Sequence, residues 1–139
     1  MLGQIHFALT MMLEPAMLAP VLCQPTLPLD DPADIETPPQ ELLAVQERLE
    51  PKDLNVLAYR FEGDRLCKAQ RFAAYSAALG EHFLARVLPD SAAGQAGLPP
   101  FFEHVATCTQ SVVAAHLIDA AGEPTLAARR QILEFFTRR

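Results

Sequence analysis

Asp64 stands just past the apolar run of residues 54–61 (LNVLAYRF) and directly after Gly63. In open α/β sheets, ligands and catalytic groups gather beyond the carboxyl ends of the strands. A carboxylate there suits the orientation of a general base. Aspartate is equally at home in turns and as a helix cap, so a structural reading competes. Arg60 and Arg65 are both near enough in sequence to pair with it, and strand alternation puts Arg60 on the sheet face opposite Phe61. Cys67 follows near an expected helix start, where the dipole lowers a thiol pKa and favours a nucleophile. Its competing reading is a small buried hydrophobe. Cys23 reads as a core thiol, and nothing near Cys108 marks it as activated.

A general base must reach a nucleophile and be oriented by a third group. The histidines are His6, His82, His104 and His116. His104 in a long loop and His116 in a short helix are the two that could approach Asp64; each also has a plain surface or structural reading. His82 reads as exposed, and His6 as a core histidine on an apolar helix. Ser76, Ser91 and Ser111 are the serines, and none stands in a G-x-S-x-G turn. No spacing of Cys, His, Asp or Glu matches a metal site, and no glycine-rich loop is built to cradle a phosphate, so neither metal nor organic cofactor is expected.

These residues need elements to position them. Residues 5–13 (IHFALTMML) are apolar on almost every side apart from His6 and Thr10, the mark of a helix buried in a large protein. Residues 17–23 read as a short strand despite Pro20. Residues 24–38 form an acidic, proline-rich surface excursion. The window from Asp30 to Asp53 holds eight acids and two bases, which accounts for the net charge of −6 on the whole chain. Thr37, Pro38, Pro39 and Gln40 fit a capping box, opening a helix that Pro51 closes, with Leu42, Val45 and Leu49 on one face.

Residues 54–61, apolar on both faces apart from Asn55 and Arg60, predict an internal parallel strand. A helix over 68–79 follows, with Ala69, Phe72, Ser76 and Leu79 inward and Gly80 as its C-terminal cap. Residues 83–88 (FLARVL) predict the next strand, ended by Pro89 and Asp90. A long loop over 89–108 precedes a short helix over 110–117 and a firmer one over 125–138, with Ala128, Ile132, Phe135 and Phe136 inward and Arg138 and Arg139 suiting its last turn. Alternation of this kind predicts an α/β fold of about three parallel strands flanked by helices. So few strands leave an open sheet border that another subunit could cover. The border and the apolar first helix together read as the second half of a doubly wound domain.

The chain has 139 residues, enough for one domain. Its acidity, with pI near 5.1, argues against nucleic acid or an anionic membrane as partner. The apolar N-terminal run lacks a positive leader and is broken by Glu14 and Pro15, too short to span a bilayer. Three scattered cysteines make a poor disulfide framework and point to a cytoplasmic protein.

Several stretches lie in a colinear order that carries more than any one of them. They are Phe61-Glu62-Gly63-Asp64-Arg65-Leu66-Cys67, Arg71-Phe72, Leu79-Gly80 and Phe83, then Gln110-Ser111-Val112-Val113, His116-Leu117, Gly122-Glu123-Pro124-Thr125 and Ile132-Leu133-Glu134-Phe135-Phe136. In front of them stand Phe7-Ala8-Leu9, Met11-Met12, Ala19-Pro20-Val21-Leu22 and Gln24-Pro25. Together they resemble the C-terminal half of the dienelactone-hydrolase-like α/β-hydrolases, over essentially all of residues 1–139.

The resemblance implies a family in which a Cys or Ser at a glycine-flanked elbow attacks an ester or lactone, a histidine relays the proton, and an aspartate orients the histidine. It implies that Asp64 descends from that acid. The nucleophile position falls at Leu2, with Ile5 and His6 where the elbow glycines would be, and the histidine position at Gln110. Leucine has no nucleophilic atom and a glutamine amide cannot shuttle protons near neutral pH. His116 matches a different family position and is a substitute base only if the backbone has shifted. A late start would explain Leu2 but not Gln110, which favours decay of the site. The expected function is therefore a remnant or fragment of an ester or lactone hydrolase, inactive alone. Its rivals are a binding or self-associating module derived from the fold, and a cysteine enzyme using Cys67 or Cys108 with His104.

Overall fold

A computed structural model of the chain describes residues 9, 11–23, 30–35, 37–64, 67–94 and 117–138, except the side chain of residue 23. Within them lie β1 (Val21–Cys23), α1 (Pro39–Lys52), β2 (Val56–Phe61), α2 (Ala69–Leu79), β3 (Phe83–Leu88) and α3 (Pro124–Thr137). Short 3-10 turns occupy Met11–Leu13, Gly80–His82 and Asp90–Ala92. The strands form one parallel sheet in the order β1-β2-β3, with Val21 opposite Leu57 and Val56 opposite Phe83. This is the expected open α/β sheet of three parallel strands flanked by helices. Among the described residues β1 and β3 are its edges, and no helix is long and apolar enough to cross a membrane.

The central strand explains the layering. All six residues of β2 are buried, as a run broken only by Arg60 requires of a strand covered on both faces. Val56 and Ala58 face Val45 and Leu49 of α1 and Phe72, Tyr75 and Leu79 of α2. Leu57, Tyr59 and Phe61 face the other way, onto Ala128 and Ile132 of α3 and onto Ala92 and Ala93. In the first layer the Phe83 ring meets Phe72 edge-on and stacks on Tyr75, with both pairs of centroids 5.4 Å apart. Burial holds the Tyr75 phenol well above its usual pKa, at about 12, against a lowering pull from Arg71.

Several local expectations need correction. Leu9 is helical, but residues 11–13 form a 3-10 turn where the sequence predicts α-helix; residues 1–8 and 10 lie outside the described residues. The first strand is only Val21–Cys23, because Pro20 has no N–H to give the ladder; its carbonyl still accepts the Leu57 N–H. No capping box forms at α1: the Thr37 hydroxyl donates to the Ile35 carbonyl, and no side chain caps the helix. Pro51 does not end α1, which runs to Lys52 and is closed by Asp53 in the left-handed conformation, φ 48°.

On α2 the buried set is Arg71, Phe72, Tyr75 and Leu79, with Ala69 and Ser76 exposed. The helix is rolled toward Tyr75 because that ring stacks on Phe83. Phe136 on α3 points outward, 49% exposed, while Phe135 packs against the core. Gly80 does cap α2, at φ 58°. Leu117 is not helical, and the rest of the helix expected over 110–117 lies outside the described residues. Of the loop expected over 89–108, residues 89–94 are described; Ala92 and Ala93 in it are core.

Two arginines tie the segments ahead of the helices to the core. The Arg48 guanidinium donates to the carbonyls of Met12 and Glu14 through one nitrogen, and to those of Pro15 and Met17, at 2.9 and 2.8 Å, through the other. Arg71 is fully buried and donates to the carbonyls of Asp34 and, at 3.0 Å, Asp31. The acidic segment is therefore not only a solvated excursion: Ile35 joins the core, and Arg71 grips its backbone.

Candidate active site around Asp64

The chain leaves β2 through a tight turn in which the Asp64 N–H bonds the Phe61 carbonyl at 3.3 Å. The Glu62 N–H extends the β2–β3 ladder by donating to Leu88 at 2.9 Å. Asp64 thus sits beyond the carboxyl end of the central strand, where the sequence pattern places it. It is 4% exposed, and its Oδ1 accepts the Cys67 N–H at 2.9 Å. That bond caps the turn leading into α2, the structural role that competes with a catalytic one.

Gly63 owes its identity to space. Its N–H donates to Asp90 Oδ1 at 2.8 Å, and a Cβ at this position would lie 2.3 Å from Asp90 Oδ2. Asp90, placed just after β3 as Asp64 is just after β2, escaped the sequence reading. Its position after Pro89 at a strand end was the available signal.

Arg60 points to the α2 side, as alternation requires, with its guanidinium 5.6 Å from the centre of the Phe72 ring. One of its nitrogens donates to the carbonyls of Phe61, at 2.9 Å, and of Glu62 and Cys67, at 3.3 Å each. Arg60 thereby fastens both sides of the turn that carries Asp64. Arg71 was visible in the sequence as an arginine on a mostly apolar helix, but its grip on residues 31 and 34 is long-range and unreadable there.

Cys67 is fully buried. Burial pushes its thiol up from 9.0 to about 12; the nearby Asp64 carboxylate raises it further, while Arg60 and Arg71 pull it down. The sequence allowed a dipole-activated thiol here, and that is corrected. Cys67 precedes the first helical residue, Ala69, and desolvation outweighs any gain from the helix end. Such a thiol stays protonated at physiological pH and does not act as a nucleophile.

His82, expected exposed, is half-buried, and its Nδ1 is enclosed with no partner among the described residues. It lines a cavity of about 630 Å³ with Glu50, Asp53 and Glu81. That cavity lies at the amino ends of β2 and β3, opposite Asp64. Ser76 is exposed on α2, and Ser91 is exposed in the turn after β3. Leu2, His6, Arg65, His104, Cys108, Gln110, Ser111 and His116 lie outside the described residues. The structure therefore brings together Asp64, Arg60, Cys67 and Asp90 and makes no statement about the relay positions. No group of three or more His, Cys, Asp or Glu able to hold a metal ion occurs among the described residues.

No family model, no curated protein and no solved structure matches this chain.

Proposed function

We propose that the chain is the acid-bearing part of a dienelactone-hydrolase-like ester or lactone hydrolase fold, cytoplasmic, and that as written it does not turn over esters. The observation that carries this reading is the buried Asp64 carboxylate, held in a tight turn just past the carboxyl end of a central parallel strand. The chemistry of the other positions supplies the inactivity. Leucine at position 2 offers no nucleophile, glutamine at 110 no proton relay, and the buried thiol of Cys67 no substitute. His116 is the remaining imidazole that this reading would admit as a base.

Two measurements test it. Turnover of 4-nitrophenyl acetate should equal the buffer rate for the chain and for Asp64→Ala alike; activity that the substitution abolishes overturns the inactive assignment. The family correspondence is tested separately with Gln110→His. If position 110 faces the acid, the introduced imidazole titrates above an ordinary histidine, because a neighbouring carboxylate favours its charged form. It falls back when Asp64→Asn is added. A titration indifferent to Asp64 removes the correspondence.

A second reading, a non-catalytic self-associating module, draws on Met11, Leu13 and Leu18. These apolar side chains are about 40% exposed on the segment leading into the edge strand β1. Light scattering that reports a monomer at every concentration ends that reading.

A further inference from the structure

Between β3 and α3 runs a groove of about 590 Å³ on the face of the sheet away from α1 and α2. Small-molecule sites span roughly 300–1,000 Å³ and are mostly apolar with a few placed polar groups. The floor of this groove is the buried Tyr59 and Ala128, with Leu88 and Pro124 half-buried beside them. Tyr59 spends its hydroxyl proton on Gln131 Oε1, so the floor carries no charge.

Two cations stand above it, from different elements. Arg86 comes from β3 and Arg130 from α3; both are exposed, and neither has an ion pair among the described residues. Among the described residues Arg86 bonds the Ala85 carbonyl, at 2.9 Å. The acid on the same wall, Glu134, lies 3.7 Å from Arg138 on its own helix. A chain of net charge −6 that presents two exposed guanidiniums, without ion pairs among its described residues, over an apolar floor offers a local exception to its own electrostatics. Guanidinium recognises carboxylate through charge-assisted, often paired hydrogen bonds.

We propose that this groove binds a small organic monocarboxylate with an apolar body. The carboxylate lies between Arg86 and Arg130, and the hydrocarbon covers Leu88 and Pro124. The proposal does not rest on the hydrolase reading.

The test is calorimetric titration of the whole chain with 4-phenylbutanoate and with its neutral amide. The acid should bind saturably and the amide at least tenfold more weakly. Arg86→Gln and Arg130→Gln should each weaken the acid by about tenfold, the scale of a hydrogen bond to a charged group, and leave the amide unchanged. Both arginines are exposed, so an unaltered thermal melt is expected and shows that the fold is intact. Equal binding of acid and amide, acid binding that both substitutions leave unchanged, or no saturation up to about 10 mM, beyond a millimolar Kd, each overturn the proposal.

Discussion

The carboxylate of Asp90 accepts the backbone N–H of Gly63 at 2.8 Å, so the turn after β3 holds the turn after β2. The contact leaves no room for a side chain at position 63, since a Cβ would stand 2.3 Å from the other carboxylate oxygen. Asp64 is the next residue along, so its placement depends on a residue 26 positions away that bonds the glycine before it.

Gly63→Ala must swing the Asp90 carboxylate away and break that bond. The expected loss is about 1–2 kcal/mol, the scale of one charge-assisted hydrogen bond. Asp90→Ala removes the same bond from the other side. Urea denaturation of both single variants and the double should show the double little worse than either single. Strictly additive losses would mean that the two positions act separately.

Asp64→Ala removes the acceptor for the buried Cys67 N–H and should cost about 1 kcal/mol, the scale of one hydrogen bond. Asp64→Asn keeps an oxygen in place and should cost less. Equal losses in chemical denaturation would show that charge, and not this hydrogen bond, is what the fold uses at this position.

Arg48→Ala releases four backbone carbonyls between Met12 and Met17. A loss of about 2 kcal/mol is expected from bonds to a charged donor. Arg48→Lys should recover only a minor part, because an ammonium cannot present two nitrogens in a fixed plane. Amide exchange at Glu14 and Met17, whose N–H groups bond within this segment, should accelerate in both variants. Unchanged protection would show that the segment holds itself.

The buried thiol and phenol set the alkaline limit. Cys67 and Tyr75 titrate at about 12 in the folded chain, against 9.0 and 10.0 without burial. Unfolding therefore releases their protons more readily, and the folded state loses stability as pH rises. Their contribution is complete below pH 9 and declines between about 9 and 12. Denaturation midpoints should fall across that window, and by less in Cys67→Ala relative to its own neutral value. Iodoacetamide at pH 8 should leave Cys67 unmodified until denaturant is added. Rapid alkylation of Cys67 in the native chain would contradict the burial.

Residues 54–61 could be assigned from sequence because their pattern is local and unambiguous: an apolar run on both faces, long enough for a strand, ended by glycine and aspartate. The same local logic placed Asp64 at the carboxyl end of that strand, Gly80 at the close of α2, and the helix after Gly122. Capping and roll were less legible. Thr37 turned its hydroxyl back to the Ile35 carbonyl two residues away, one local bond displacing another, whereas α2 rolled to stack Tyr75 on Phe83, where a tertiary partner outcompeted a local preference.

What the sequence by itself determined, then, is the alternation of strand and helix, the parallel sheet, and the acid at its carboxyl edge, since period and punctuation act over a few residues. Only the tertiary structure decided that Cys67 is inert, that Asp90 fixes the turn before Asp64, and that Arg86 and Arg130 share a groove. A thiol's pKa follows from desolvation by residues scattered along the chain. The Gly63–Asp90 contact and the paired arginines arise where strand ends and helices from distant segments meet, and no spacing in the sequence records those distances.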